Sequence, residues 1–268
     1  MSENILLNTD ERGVATVTLN RPDKRNAFGD ELISDLTMLL NDLDGDESIR
    51  VVVLTGAGDT FSAGADLNWM RAMAGYSEQE NFEDALKLAK LMETLDRLGK
   101  PTVARINGHA FGGAVGLVAC CDIALASKKA RLCLSEVRLG LVPAVISPYV
   151  IAAIGQRHAR RLFLTAEAIS AKAARKIGLV HAVAKPEELD ELVEEQVDML
   201  LQAGPHAIAE AKRLVQDVAD ADPQRRDELR RSTAALIARL RVSLEGQEGL
   251  GAFLEKRPAA WTSRDKTD

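Results

Sequence analysis

The segment Arg50–Thr55 constrains the fold of this chain most, because it holds the uninterrupted apolar run Val51-Val52-Val53-Leu54. A strand with apolar residues at successive positions turns them to both of its faces, so both faces need a cover. Such strands are typical of parallel sheets that lie between helices. The order strand, turn, helix, strand recurs through the first two-thirds of the chain, which predicts an α/β fold with parallel pairing.

Hydrophobic periodicity predicts further elements around this strand. Alternating Val and Thr predict a strand at Val14–Leu19, and leucines at helical spacing predict a helix at Glu31–Leu43. Asn107–Gly113 is predicted to be a Gly-rich turn. The remaining strands predicted here are Pro101–Ile106, Asp122–Ala126 and Arg131–Leu134, and the helices are Glu80–Leu98 and Ala114–Ala119.

The sequence after Pro148 is predominantly helical, with glycines separating one segment from the next. No low-complexity linker lies between this part and the first, so we expect the two parts to pack together. The predicted helices are Val150–Ile154, Ala159–Leu164, Ala171–Ile177, Glu187–Ala203, Ala207–Ala219, Arg225–Leu240 and Glu245–Lys256.

Charge and cysteine usage argue against several classes of partner. The net charge of −6 gives no electrostatic reason to expect nucleic acid or an anionic membrane. The basic residues along Glu80–Leu98 alternate with acids, which is typical of a solvated helix face rather than an RNA-binding one. The three cysteines match neither a disulfide framework nor a zinc pattern, so we expect reduced, buried thiols and no metal site.

The N-terminal segment from Met1 to Asp10 carries acids and no long apolar run. It is typical neither of a signal peptide nor of an Arg-rich transit peptide. No apolar stretch approaches the length of a membrane span. We therefore expect a cytoplasmic protein with no membrane partner.

Two Gly-containing turns, Phe61–Leu67 and Asn107–Ala114, each follow a predicted strand and precede a helix. Small residues let a ligand approach the main chain closely. The N–H groups at the start of a helix can stabilise a developing negative charge, and two such donors aimed at one point form an oxyanion hole. The alternative is tight strand–helix packing that simply needs small residues.

A series of short motifs resembles the enoyl-CoA hydratase/isomerase (crotonase) family in content, order and spacing. Each motif is weak by itself, but the ordered set is highly specific and extends over nearly the whole chain. The motifs are Asn20–Pro22, Asn26-Ala27, Phe61–Leu67, Asn107–Gly113, Cys121-Asp122, Ser135–Pro143, Leu164–Ala166, Ala173–Val180 and the tail from Glu248 to Arg257.

The resemblance implies a spiral of ββα units in residues 1–200 and a helical trimerisation region in residues 201–268, often as a dimer of trimers. It implies that the backbone N–H groups of Ala65 and Gly113 bind the thioester oxygen of an acyl-CoA. No cofactor is implied beyond the CoA moiety of the substrate. Residues expected near that moiety are Lys24, Arg25, Ala27, Ala63, Asp66, Leu67, Phe253 and Lys256, the two last commonly from a neighbouring subunit.

Glu136 matches the glutamate that hydratases and isomerases of this family share. A carboxylate in a dry pocket can have a raised pKa and can carry protons. Hydratases resemble one another in a second glutamate, which helps to hold the water. The matching position here is Gly116, so the set of catalytic positions is Glu136, Ala65, Gly113 and an altered Gly116.

Two activities remain open at this point. One is hydration of a 2-enoyl-CoA, and Cys133–Tyr149 is similar to a bacterial subgroup assigned to branched or carboxylated substrates. These are the methylglutaconyl-CoA and isohexenylglutaconyl-CoA hydratases of leucine and acyclic-terpene breakdown. The alternative is isomerisation of a 3-enoyl-CoA by the single glutamate, or a member with lost or altered activity. A carboxylated substrate would need a cation, for which the candidates are Arg71, His109, Arg138 and Arg157.

Overall fold

The structure, a computed structural model, describes residues 3–262 and contains a six-stranded main sheet. Its order is β1-β2-β3-β5-β7-β10, and every neighbouring pair is parallel except β1 with β2. The predicted parallel α/β architecture is therefore confirmed. The strands are β1 Ile5–Thr9, β2 Val14–Leu19, β3 Val51–Gly56, β5 Thr102–Ile106, β7 Ile123–Ser127 and β10 Ala182–Ala184.

A second, four-stranded sheet runs in the order β4-β6-β8-β9. Its strands are β4 Thr60–Ser62, β6 His109–Phe111, β8 Arg131–Cys133 and β9 Ile169–Ser170. Strand β6 lies inside the segment that the sequence predicted to be a turn, so that prediction was wrong over its middle. Strands of two or three residues show no usable periodicity, and pairing with distant neighbours defines them instead.

Ten α-helices cover the two sheets and form the C-terminal part of the described residues. Gly155 has φ 70° and ψ 160°, so α5 bends between the two helices that the sequence predicted there. The helices are α1 Asp30–Gly45, α2 Leu67–Met73, α3 Glu78–Asp96, α4 Gly113–Cys120, α5 Ser147–Thr165, α6 Ala171–Lys176, α7 Leu189–Leu201, α8 Pro205–Ala219, α9 Arg226–Val242 and α10 Leu244–Glu255.

Strand β3 is buried along its whole length, as its apolar run predicts. Val52 and Leu54 belong to the large core that α1 and α3 share, whereas Val51 and Val53 pack in a smaller cluster with residues of α7. The sheet thus has an apolar cover on each face. Burial of this kind contributes roughly 25 cal/mol for each Å² of apolar surface removed from water.

The C-terminal helices are tied to the core by polar contacts of α8. Lys212 Nζ lies 2.9 Å from an Asp122 carboxylate oxygen, and Gln216 Nε2 donates to the carbonyl oxygen of Asp96 at 2.8 Å. The expected regions 1–200 and 201–268 meet at the end of α7, although residues 1–2 and 263–268 lie outside the described ones. Within residues 3–262, no helix combines the length and apolarity that spanning a membrane requires.

The three cysteines are buried free thiols, as predicted. Burial raises the pKa of Cys120 and Cys121, the latter to about 12, so neither is a reactive thiolate at neutral pH.

Candidate active site

Ala65 follows β4 in a loop that pairs with Phe28, two residues before α1. The amide of Phe28 donates to the carbonyl of Gly64 at 2.9 Å, and the amide of Asp66 donates to the carbonyl of Phe28 at 2.9 Å. This parallel bridge turns the N–H of Ala65 away from Phe28. Within the described residues the Ala65 amide has no acceptor, so it can donate to a ligand.

Gly113 is the first residue of α4, where an N–H has no intrahelical acceptor. The preceding Gly112 has φ 56°, a conformation that favours glycine, and its amide donates to the carbonyl of Cys133 at 2.8 Å. In the part of the chain that is described, the Gly113 amide donates to nothing. A Cβ at Gly113 would lie 2.7 Å from Cζ of Phe28, so any other residue there requires the ring to shift.

Phe28 therefore joins the two turns, its backbone pairing with one and its ring packing on the other. The sequence reasoning did not single out this residue. Its only signal was its place directly after the Asn26-Ala27 motif.

Glu136 opens a short 3₁₀ turn, Glu136–Leu139, that follows β8. Its Oε1 lies 3.5 Å from the position that a Cβ on Gly112 would take, so the carboxyl group sits beside the second Gly turn. Its Oε2 is buried and has no hydrogen-bond partner among the described residues. Burial raises the pKa of Glu136, as a proton-carrying carboxyl group requires.

Ala65, Gly113 and Glu136 line one cavity of about 490 Å³. The residues that carry the two available amides and the unpartnered carboxyl oxygen therefore border a common space. The other lining residues are Phe28, Trp69, Ala85, Leu88, Gly140, Leu141, Val142, Pro143, Ala144, Val145 and Ile146. No lining residue other than Glu136 has an ionisable side chain, so we refer to this space as the acyl cavity.

The Glu136→Gln variant is expected to be more stable than the wild type at neutral pH. Because the pKa of Glu136 is raised in the folded state, folded protein binds this proton more tightly than unfolded protein does. Wild-type stability from this group is thus fully present below the ordinary pKa of 4.5 and is lost as pH rises through the raised value.

Glutamine carries no charge to bury, so the advantage of the variant in Tm should grow between pH 4 and pH 8. Thermal unfolding followed by circular dichroism across this range measures it. A constant difference in Tm at all pH values would contradict the burial of an ionisable Glu136.

A second cavity, of about 480 Å³, adjoins the first and shares Ala65 with it. Its lining includes all six residues that were predicted near CoA in the first part of the chain: Lys24, Arg25, Ala27, Ala63, Asp66 and Leu67. Arg71 lines it as well, although it was considered only for the acyl group. Lys24, Arg25 and Arg71 line this second cavity, next to the apolar acyl cavity. The pair of cavities therefore fits a ligand with an anionic part and an apolar end.

Asp66 has a structural role that the sequence reasoning missed. Its carboxylate accepts from the amide of Asn68 at 2.8 Å, which caps α2, and pairs with Arg21 at 2.9 Å. Burial opposes its ionisation, but the bonds from Asn68 and Arg21 outweigh this and lower the pKa of Asp66. Arg21 thus pairs with the carboxylate of Asp66, so this negative charge does not face the second cavity without a partner.

Phe253 and Lys256 line neither cavity of this chain. Phe253 is 80 % exposed on α10, and Lys256 caps the end of that helix with φ 55°. The structure therefore does not bring these two predicted CoA contacts to the site of their own chain.

Gly116 does not line the acyl cavity and has a packing role instead. A Cβ at this position would overlap the side chain of Ile146 and lie 3.2 Å from Sδ of Met92. The prediction that Gly116 is one of the catalytic positions is thereby corrected, because the apolar side chain of Ile146 fills the space beside it.

None of the four candidate cations for a carboxylated substrate lines the acyl cavity. Arg138 donates to the carbonyl of Ala166 at 2.8 Å, and Nδ1 of His109 accepts from the amide of Arg131 at 3.2 Å. Arg157 is exposed on α5. Among residues 3–262, no group of three or more His, Cys, Asp or Glu side chains could hold a metal ion.

Comparisons with known proteins identify a family that the chain matches. The model of the family described as "Enoyl-CoA hydratase/isomerase" matches residues 9–264. A crotonyl-CoA hydratase of Syntrophomonas wolfei is 30 % identical over 97 % of this chain and 99 % of its own length. A trans-2-decenoyl-[acyl-carrier-protein] isomerase of Streptococcus mutans is 29 % identical over 97 % of this chain and 98 % of its own.

The fold is likewise that of solved members. The crystal structure of an enoyl-CoA hydratase from Shewanella pealeana is 44 % identical, with a TM-score of 0.91 over 96 % of each chain. The fold class predicted from the resemblance is confirmed.

Proposed function

We propose that this chain, which belongs to the enoyl-CoA hydratase/isomerase family, adds water to the double bond of a 2-enoyl-CoA thioester with a single carboxyl group. The observation that supports the proposal is that one cavity is lined by Ala65 and Gly113, whose amides are unpaired among the described residues, and by the half-buried Glu136, whose Oε2 has no partner there. Related chains named as enoyl-CoA hydratases support the reaction type.

The amides of Ala65 and Gly113 bind the thioester oxygen in this proposal. They draw electron density from the double bond, so the β-carbon becomes electrophilic, and they stabilise the enolate oxygen that forms. Ionised Glu136 accepts a hydrogen bond from a water molecule beside the β-carbon. The water oxygen bonds to that carbon while one of its protons passes to Glu136.

Glu136 then returns this proton to the α-carbon, and the enolate collapses to the 3-hydroxyacyl thioester. All atoms of one water molecule are accounted for, and the carboxylate is regenerated. One group handles both the hydroxyl and the proton, so both add to the same face of the double bond. Gly116 and Ile146 leave no second carboxyl group in the described lining of the cavity.

The similarity to the isomerase of Streptococcus mutans supports isomerisation as the alternative function. The same two amides and one carboxylate suffice for it. Glu136 would remove a proton from the α-carbon of a 3-enoyl-CoA and return it at the γ-carbon, without water.

The described cavity lining supports an apolar acyl group, which includes branched 2-enoyl groups. A glutaconyl-type substrate has a distal carboxylate, and burying that charge without a cation costs several kcal/mol. Since the lining offers only the acidic Glu136, we propose that methylglutaconyl-CoA is a poorer substrate than an uncharged branched enoyl-CoA.

We also propose that the chain acts as a homotrimer or a dimer of trimers in the cytoplasm. Leu244 of α10 is 93 % exposed, and Leu254 is 76 % exposed. Such side chains favour burial against another subunit. Phe253 and Lys256 would then approach the CoA of a neighbouring copy rather than that of their own chain.

Turnover of a substrate panel tests the activity. We expect loss of the conjugated double bond with uptake of water from crotonyl-CoA and 3-methylcrotonyl-CoA, and at least tenfold lower kcat/KM for methylglutaconyl-CoA. Conversion of a 3-enoyl-CoA to the 2-enoyl-CoA with no hydroxyacyl product from any 2-enoyl-CoA would establish the isomerase instead.

A further inference from the structure

Ile146 is a nearly fully buried member of the acyl cavity lining. It lies directly before α5 and is 2 % exposed, yet its side chain borders the cavity. Its branched end occupies the space that a side chain on Gly116 would need, and Sδ of Met92 would lie 3.2 Å from a Cβ there. Ile146, Gly116 and Met92 thus form one packed group, of which Ile146 lines the cavity, and we call this group the inner wall.

A third cavity, of about 800 Å³, is lined by residues of α3, α4, α5 and α8. On α3 its lining includes Ala89 and Glu93, which flank Met92 in sequence; on α4 it includes Ala119, one turn beyond Gly116. On α5 it includes Tyr149, three residues after Ile146. Helices α3 and α4, and Ile146 together with α5, therefore contribute residues both to the inner wall and to this third cavity.

Much of the third cavity has an apolar lining, and its charged residues come from one side of α3 and the end of α8. The apolar members include Leu86, Ala89, Ala119, Pro148, Ala152 and Val215. The charged ones include Lys90, Glu93, Arg97 and Asp220, whose heads can stay in water. A hydrocarbon chain that passed the inner wall would find apolar surface there.

We propose that Ile146 determines acyl chain length by ending the acyl cavity, and that removing its side chain joins this cavity to the third one. The wild type then accepts short enoyl groups, whereas a longer chain must displace Ile146 and Met92 from a close-packed layer. The inference rests on the proposed function only in taking an acyl-CoA as the ligand.

The test compares a series of saturated acyl-CoAs, from butanoyl to dodecanoyl, by calorimetric binding, and the matching 2-enoyl-CoAs by turnover. For the wild type we expect binding and kcat/KM to fall at least tenfold from the four-carbon to the twelve-carbon member. Ile146→Ala should raise the ratio of twelve-carbon to four-carbon kcat/KM at least tenfold. Met92→Ala should move the ratio the same way.

Ile154→Ala is the matched control, because Ile154 is a buried residue of α5 that lines neither cavity. It should leave the ratio within about twofold of the wild type. Equal wild-type affinity for butanoyl-CoA and dodecanoyl-CoA would overturn the proposal, even if no variant folds. So would an unchanged ratio in folded Ile146→Ala and Met92→Ala.

The binding series separates this inference from the proposed function. Acyl-CoA binding that falls with chain length, together with no hydration of any enoyl-CoA, would refute the hydratase and leave the inner wall standing. Hydration of all chain lengths at equal kcat/KM would support the hydratase and refute the role of the inner wall in chain length.

Discussion

Glu136→Gln is expected to lower kcat for hydration of crotonyl-CoA by roughly 10²- to 10⁴-fold, the usual contribution of a general acid–base group. Glutamine has nearly the same shape but cannot accept the proton of water. KM should change little, because the substrate is held by the amides of Ala65 and Gly113. Initial rates of loss of the enoyl absorbance measure both constants.

Glu195→Gln on α7 is the matched control, since Glu195 is exposed and far in the fold from the acyl cavity. It should retain wild-type rates. A Glu136→Gln enzyme with near wild-type kcat would remove the proton carrier from the mechanism. The raised pKa of Glu136 also predicts that wild-type kcat falls as pH drops through that pKa, because only the ionised form accepts a proton.

Gly113→Pro is expected to lower kcat by roughly 10²- to 10³-fold relative to Gly113→Ala, the cost of losing one oxyanion donor. Proline lacks the N–H but is tolerated at the first position of a helix, which Gly113 occupies. Alanine keeps the N–H. Both substitutions place a Cβ close to the ring of Phe28, so their comparison cancels the effect of that contact.

Steady-state rates of the two variants, with circular dichroism to check that each is folded, give this ratio. Equal kcat in folded Gly113→Ala and Gly113→Pro would show that this amide does not bind the developing oxyanion. The Gly113→Ala variant should itself be less stable than the wild type by roughly 1–3 kcal/mol, because overpacking against Phe28 strains the core.

The long elements of the fold could be predicted from the sequence, because their burial leaves a periodic signal. The run Val51–Leu54 correctly indicated a strand covered on both faces, and the leucines of α1 indicated an amphipathic helix. Strand β6 could not be predicted, because three residues carry no periodicity and the pairing partners come from β4 and β8.

For the site, the sequence predicted only those residues that lie in motifs resembling the enoyl-CoA hydratase/isomerase family. Ala65, Gly113 and Glu136 lie in such motifs, and the structure gathers them in one cavity. The contact of Gly116 with Ile146 joins residues thirty positions apart in sequence, and neither residue type signals the other. Phe253 and Lys256 line neither cavity of their own chain, so the prediction that they contact CoA depends on the proposed assembly.

The stereochemistry of water addition in D₂O tests the central claim most directly. Early turnovers of crotonyl-CoA should give 3-hydroxybutanoyl-CoA with one deuterium at the α-carbon, on the same face as the new hydroxyl group, as proton NMR of the product can show. That result is expected because Glu136 alone both activates the water and returns the proton. Deuterium on the opposite face, or divided between both faces, would require a second proton carrier and would contradict the single-carboxylate mechanism.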